Sequence, residues 1–333
     1  MKKTFKKLSL VIAVASVIGF AVGCETQKND EASTSSKEQI EALFDKMAPE
    51  MQTFTIDPTQ PNTITGEDGT VITIPANSLV DANGNPVTGS VTISLQEILS
   101  IGDQLTSGVS AVSNGQFLSS GGEFYFTATL NGKTLDVDPS NPITVVVPAD
   151  QVDSTMQVFL GDMTNDKEGD STVNWVLPTD TTTQTDTSSY INYQMQYSND
   201  YTIILSNLYQ SGWYNIDCYV DWNNLIQELV CEINVNNNEY KEEIDFLLKT
   251  FYKEYACVSY KQNTGVVTAT QSLIAYEYWM PGKNATVIVT GKGKKSGKLY
   301  YGTYTFTVNS NSKPVINLTM VTEAELKTLI SAL

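Results

Sequence analysis

Few kinds of residue in this chain can do chemistry. Of 333 residues, 37 are Asp or Glu, 20 are basic and none is His; every basic residue is a lysine. Without histidine and arginine, a His-based triad or general base, imidazole metal ligation, Arg phosphate clamps and bidentate Arg readout of guanine are all excluded. Hydrolysis would have to rest on two carboxylates flanking a glycosidic bond. So many acids guarantee accidental pairs, and no pair stands out, so no catalytic residue is assigned.

Metal chemistry would need oxygen ligands, which points to calcium. Asp162, Asn165, Asp166, Glu168 and Asp170 crowd a short stretch with Gly169, making Asp162, Asp166, Glu168 and Asp170 the candidate ligands of a structural calcium; no other cofactor is expected. Asp81-Ala82-Asn83-Gly84-Asn85 also alternates oxygen side chains, but turn chemistry accounts for it, and neither stretch matches an EF-hand. The run Gly291-Lys292-Gly293-Lys294-Lys295-Ser296-Gly297-Lys298 is glycine-rich like a phosphate loop, yet strand patterns flank it where a P-loop must open a helix. A lysine-rich hairpin tip is expected there. Ser310 and Lys313 fit S-x-x-K without its companion motifs. Cys218, Cys231 and Cys257 allow one disulfide in three alternative pairings with one thiol left over, and a cysteine nucleophile would have no histidine to activate it.

Aromatics are the stronger lead. Of 17 tyrosines and 4 tryptophans, all but Tyr125 and Trp175 lie from Tyr190 onward. Trp213 and Tyr219 fall on the polar side of an alternating run beside Asp217 and Asp221, and Tyr278-Trp279 closes another run. Flat rings flanked by acceptors suit a sugar face or a protein hot spot. Trp213, Asp217, Tyr219, Asp221, Tyr278 and Trp279 are therefore the candidate ligand-binding residues, with sheet packing as the competing explanation.

Strands must position these residues. Val71 and Thr73 follow Asp68-Gly69; Val91, Ile93 and Leu95 follow Asn83-Gly84 and Gly89; Phe124, Phe126 and Ala128 lead to Asn131-Gly132; Ile143, Val145 and Val147 end at Pro148. Such pairs between short alternating runs are hairpin signals, and their recurrence predicts an antiparallel β-sandwich over 51–177. Residues 178–192, rich in Thr, Asp and Ser, read as a linker. A second, mostly β domain with helices is expected over 193–333, its strand at 213–222 burying the even positions. Ile244, Leu247, Leu248, Phe251 and Tyr255 have helical spacing, predicting a helix over 238–255. Ile40, Leu43, Phe44 and Met47 predict a short amphipathic helix near 37–47, and Thr322 with Glu325 forms a capping box opening a closing helix.

The first residues look like an address. Lys2, Lys3, Lys6 and Lys7 precede the apolar stretch 8–22 and a small-residue ending at Gly23, the pattern of a secretory signal peptide over 1–23. Cys24 immediately after Ala21-Val22-Gly23 resembles a bacterial lipobox, which implies lipidation at Cys24 and stable membrane anchoring through several acyl chains. Residues 24–50 then read as a tether followed by the short helix. Between Cys24 and Asp200, 5 lysines face 25 acids, whereas 11 lysines face 12 acids from Tyr201 onward. The acidic half disfavours nucleic acid as a partner.

The segments GTVITIPANSLVDANGNPVTG (69–89), LSSGGEFYFTATLNGKTLDV (118–137), SGWYNIDCYVDW (211–222) and the ending LYYGTYTFTV…TEAELKTLISAL are similar to surface lipoproteins of Bacteroidota that carry a carboxypeptidase-regulatory-like, Ig-like β-sandwich module. The resemblance implies an outer-membrane, lipid-anchored protein on the periplasmic or cell-surface face, with a mainly β fold and no assigned activity. The function expected from these readings is a non-enzymatic envelope protein presenting β modules to a glycan or protein. A structural component of an outer-membrane complex is the first alternative, and a carboxylate-based glycoside hydrolase the second.

Overall fold

The computed structural model describes residues 36–149, 153–165, 171–178, 194–197, 202–208, 210–220, 225–235, 242–259, 263–268 and 270–333. The protein is mainly β. A sandwich is formed by β1 (Gln52–Ile56), β2 (Asn62–Thr65), β3 (Val71–Ile74), β4 (Leu79–Val80), β5 (Val91–Ile98), β6 (Val112–Ser113), β7 (Gln116–Leu130), β8 (Lys133–Thr134), β9 (Asp136–Val137), β10 (Ile143–Pro148), β11 (Gln157–Asn165), β12 (Ser171–Val176), β13 (Gln194–Tyr197), β14 (Thr202–Leu208) and β15 (Gly212–Tyr219). One layer runs β1-β5-β7-β15-β11-β12 and the other β13-β14-β10-β3-β2. Alternating residues such as Ile93, Leu95, Phe124, Phe126, Val145, Ile203 and Ile216 fill the space between them. The hairpin glycines sit where the left-handed backbone requires them: Asn131 and Gly132, both at positive φ, turn β7 into β8.

A second sheet contains β16 (Ile226–Val235), β17 (Ile244–Tyr252), β18 (Cys257–Val258), β19 (Asn263–Val267), β20 (Thr270–Trp279), β21 (Asn284–Gly293), β22 (Leu299–Thr307) and β23 (Val315–Val321). Its order is β18-β17-β21-β22-β23-β16-β20, with β19 also on β17. β16 and β23 pair in parallel, and the other ladders of this sheet are antiparallel. The sheet curls into a barrel-like shape, because β19, bonded to β17, runs within three residues into β20, bonded to β16. Its concave side is continuous with one outer face of the sandwich: Phe117, Phe159 and Trp175 share a cluster with Phe246, Leu248, Tyr252 and Trp279.

Among the described residues three α-helices, α1 (Ser36–Met47), α2 (Ile101–Ser107) and α3 (Glu323–Ser331), cover part of the convex side of the barrel. Ile40, Leu43 and Phe44 of α1, Leu105 of α2 and Leu326 and Ile330 of α3 pack with Leu247, Phe251, Ile288 and Tyr301. The capping box at Thr322 and Glu325 is present, and a second opens α2 at Ser100 and Asp103. Gly102 lets α2 and α3 approach: a Cβ there would stand 2.5 Å from the Ile330 carbonyl oxygen.

Two expectations are corrected. The segment around 244–252 is a strand, not a helix; Phe246 and Leu248 face the barrel interior while Leu247 and Phe251 lie under the helices, so burial on both faces imitates helical spacing. The domain boundary also moves. β13, β14 and β15 all belong to the sandwich, and β15 inserts between β7 and β11. The expected linker, after Pro178, lies outside the described residues.

Candidate functional site

β15 carries three of the six expected ligand-binding residues, Trp213, Asp217 and Tyr219. Tyr214, Ile216 and Cys218 enter the sandwich core as expected, but the opposite face is not open. As a central strand, β15 is flanked on both edges, and residues 109–114 lie against that face: the Trp175 indole N–H donates to the Ser110 carbonyl at 3.0 Å. Trp213 is half-buried, 5.2 Å from the Tyr125 ring and edge-on to Trp175 at 6.4 Å. Tyr219, at the strand end, is 40% exposed; it meets Phe159 edge-on, and its hydroxyl lies 3.2 Å from Ser113 Oγ. Asp217 is fully buried, which removes it as a surface acceptor.

Trp279 is likewise fully buried. Its indole N–H points to the Ala275 carbonyl at 3.4 Å, and its ring leans on Phe306. It is a core residue because β20 turns that side into the barrel. Asp221 and the side chain of Tyr278 lie outside the described residues. The four described residues form no exposed platform, because Asp217 and Trp279 are fully buried.

The buried acids are more informative. Glu97 of β5 closes one end of the sandwich by gathering a turn: Gln52 Nε2, the Asp68 amide and the Thr70 amide donate to its carboxylate at 2.8, 3.0 and 2.8 Å. Gly66 makes room, since a Cβ there would sit 2.3 Å from that carboxylate. Glu123 of β7 is equally buried yet neither of its carboxylate oxygens has a hydrogen-bond partner, and Asn215 Oδ1 has none either. Glu123 stands opposite Asn215 across the ladder, and a bulge then sets Asp217 opposite Ser120, with Gly121 and Gly122 together facing Ile216. Asn215 Nδ2 donates to Asp217 Oδ2 at 2.6 Å, and the Gly121 amide donates to Asp217 Oδ1 at 3.2 Å. Burial pushes both acids well above the usual carboxylate range, and the Asp217 and Asp103 charges push Glu123 further. Sequence reading passed over Glu123 because a lone acid in an apolar strand carries no local signal.

Of the expected calcium ligands, Asp162 is exposed on β11; Asp166, Glu168 and Asp170 lie outside the described residues. Among the described residues no three His, Cys, Asp or Glu side chains converge as a metal group. Asp81 accepts from the Asn83 and Asn85 amides, each at 2.9 Å, a turn held by its own side chain. The lysine-rich run is a hairpin tip between β21 and β22, and its amides are already engaged: those of Lys295 and Ser296 donate to Glu242 Oε2 at 3.2 and 2.9 Å, and Ser296 Oγ to Glu242 Oε1 at 2.6 Å. The anion in this cradle is the chain's own carboxylate. The thiols of Cys218, Cys231 and Cys257 are buried, and burial pushes Cys231 up to about 12.

The surface offers a different feature. Val230 of β16 and Ile274 of β20 are cross-strand partners on the convex face, 39% and 46% exposed. With Glu228, Ser310, Ser312 and Lys313 they line a shallow groove of about 140 Å³. Tyr304 of β22 is 45% exposed and stacks on Phe306 at 6.2 Å. No family model matches the chain, and no curated protein matches it significantly.

Proposed function

We propose that the protein is a non-enzymatic, lipid-anchored envelope protein that presents its barrel to a protein or glycan ligand. The observation that carries this reading is the Val230 and Ile274 pair, two large apolar side chains left exposed side by side on a groove whose rim is polar. Branched aliphatic residues suit a protein partner, whereas a sugar would need a flat ring, for which Tyr304 stacked on Phe306 is the exposed candidate. Two further facts support the proposal. The strongly perturbed carboxyls, Glu123 and Asp217, are sealed from any substrate. The basic cradle is filled by Glu242.

The test is a binding screen of the 35–333 fragment on a glycan array, with photo-crosslinking from position 274 of the full chain in the envelope. Crosslinks to one defined protein that vanish in Val230→Glu support the protein reading. Array binding that vanishes in Tyr304→Ala supports the glycan reading. Silence in both arms contradicts a ligand-presenting role.

A further inference from the structure

We propose that Glu123, Asn215 and Asp217 form an internal cation site of the calcium class. These residues come from two strands 92 positions apart in sequence (215 − 123), and all three are fully buried. On one face of the β7–β15 ladder, three buried oxygens stand without a partner: both of Glu123 and Oδ1 of Asn215. Glu97, on the next strand and equally buried, shows how this protein satisfies an internal carboxylate, with three donors. A buried polar group without a partner is costly to a fold, so three in one place mark a ligand that the protein atoms do not supply.

Every donor is oxygen, and the set is two carboxylates, one amide carbonyl and the neighbouring Ser120 hydroxyl, which lies within hydrogen-bonding reach of Asp217. Hard oxygen donors with a net charge of two negatives select calcium over zinc or copper. Asn215 is placed with its amide nitrogen on Asp217 Oδ2. That bond fixes the amide with Oδ1 turned away from Asp217 and without a partner, free to ligate as it stands, while Asp217 Oδ2 keeps a second lone pair for the ion. Asp217 Oδ1 keeps the Gly121 amide throughout, which orients the carboxylate. The ion would be taken up as β15 inserts between β7 and β11, so binding and folding of the sandwich are coupled.

The competing occupant is a proton, shared between Glu123 and Asn215 Oδ1. Calcium content of the full chain, purified through chelator and refolded with and without calcium, separates the two, together with the unfolding midpoint across a calcium titration. The site predicts about one ion retained per chain, a saturable rise in midpoint, and an apparent affinity about 100-fold weaker in E123Q. Should E123Q fail to fold, D217N provides the same comparison. A midpoint indifferent to calcium with no ion retained, or a response that survives E123Q or D217N, overturns the site and leaves the proton in its place.

Discussion

Replacing Trp279 separates a core residue from a binding residue. Its side chain is fully buried inside the barrel, with Phe306 against its ring and the Ala275 carbonyl at its N–H. Removing about 250 Å² of buried aromatic surface at about 25 cal/mol per Å² gives about 6 kcal/mol, an upper bound because the unfolded chain already covers part of that area. Trp→Ala substitutions in cores destabilise by about 3–5 kcal/mol. At about 2 °C per kcal/mol for a unit of this size, Trp279→Ala should lower the midpoint by about 6–10 °C. Trp279→Phe keeps most of the volume and loses one long hydrogen bond, so about 1–2 kcal/mol is expected. Tyr219→Ala removes a part-exposed ring and one hydroxyl contact and should fall near 1 kcal/mol. Thermal and urea unfolding of the 35–333 fragment, followed by far-UV circular dichroism, read all three. A Trp279→Ala protein as stable as wild type would refute the placement of this residue in the barrel core.

Other consequences are open to the same assay. Gly102→Ala would gain helix propensity of about 1 kcal/mol in an isolated helix, but its Cβ meets the Ile330 carbonyl oxygen at 2.5 Å, so the variant should be less stable by about 1–3 kcal/mol with faster amide exchange in α3; a stabilised variant would contradict the α2–α3 contact. Lys249 is half-buried under α1 and α2, its ammonium 3.5 Å from the Leu105 carbonyl, and burial lowers it to about 8. Its folded pKa lies below the unfolded value of 10.5, so the unfolded state binds more protons between these limits and the destabilisation is complete below about pH 8. Lys249→Met should therefore exceed wild type by about 1–3 kcal/mol at pH 7, with an advantage that shrinks toward pH 10; a constant difference would sink this assignment. Cys218, Cys231 and Cys257 should react with an aromatic disulfide reagent only in denaturant, all three titrating as thiols, and a count of one would mean that two are paired.

Legibility of the fold followed the reach of each signal. Local signals held up: Asn131-Gly132 makes its turn at positive φ, and Thr322 with Glu325 caps α3. The same capping rule would have found α2 from Ser100 and Asp103, inside the span read as β-sandwich. Periodicity failed where both faces of a strand are covered. In β17, Phe246 and Leu247 are both buried but on opposite sides, and the resulting spacing mimics a helix. In β15, the odd residues Asn215 and Asp217 are buried with the even ones, so polarity alone placed them at the surface. The insertion of β15 between β7 and β11 is a long-range pairing that leaves no trace in local sequence. The exposed Val230 and Ile274 pair was equally hidden, because an apolar residue in a strand reads as core until the fold shows which side it faces.

The proposed function depends most directly on whether Cys24 carries a lipid. Expression of the full chain in a Bacteroidota host fed an alkyne-tagged fatty acid, followed by envelope fractionation, compares wild type with Cys24→Ser. A tagged wild-type protein sedimenting with the outer membrane, beside an untagged variant that leaves that fraction, is the predicted result. An untagged wild-type protein, or a Cys24→Ser variant that remains tagged and membrane-bound, would contradict the account.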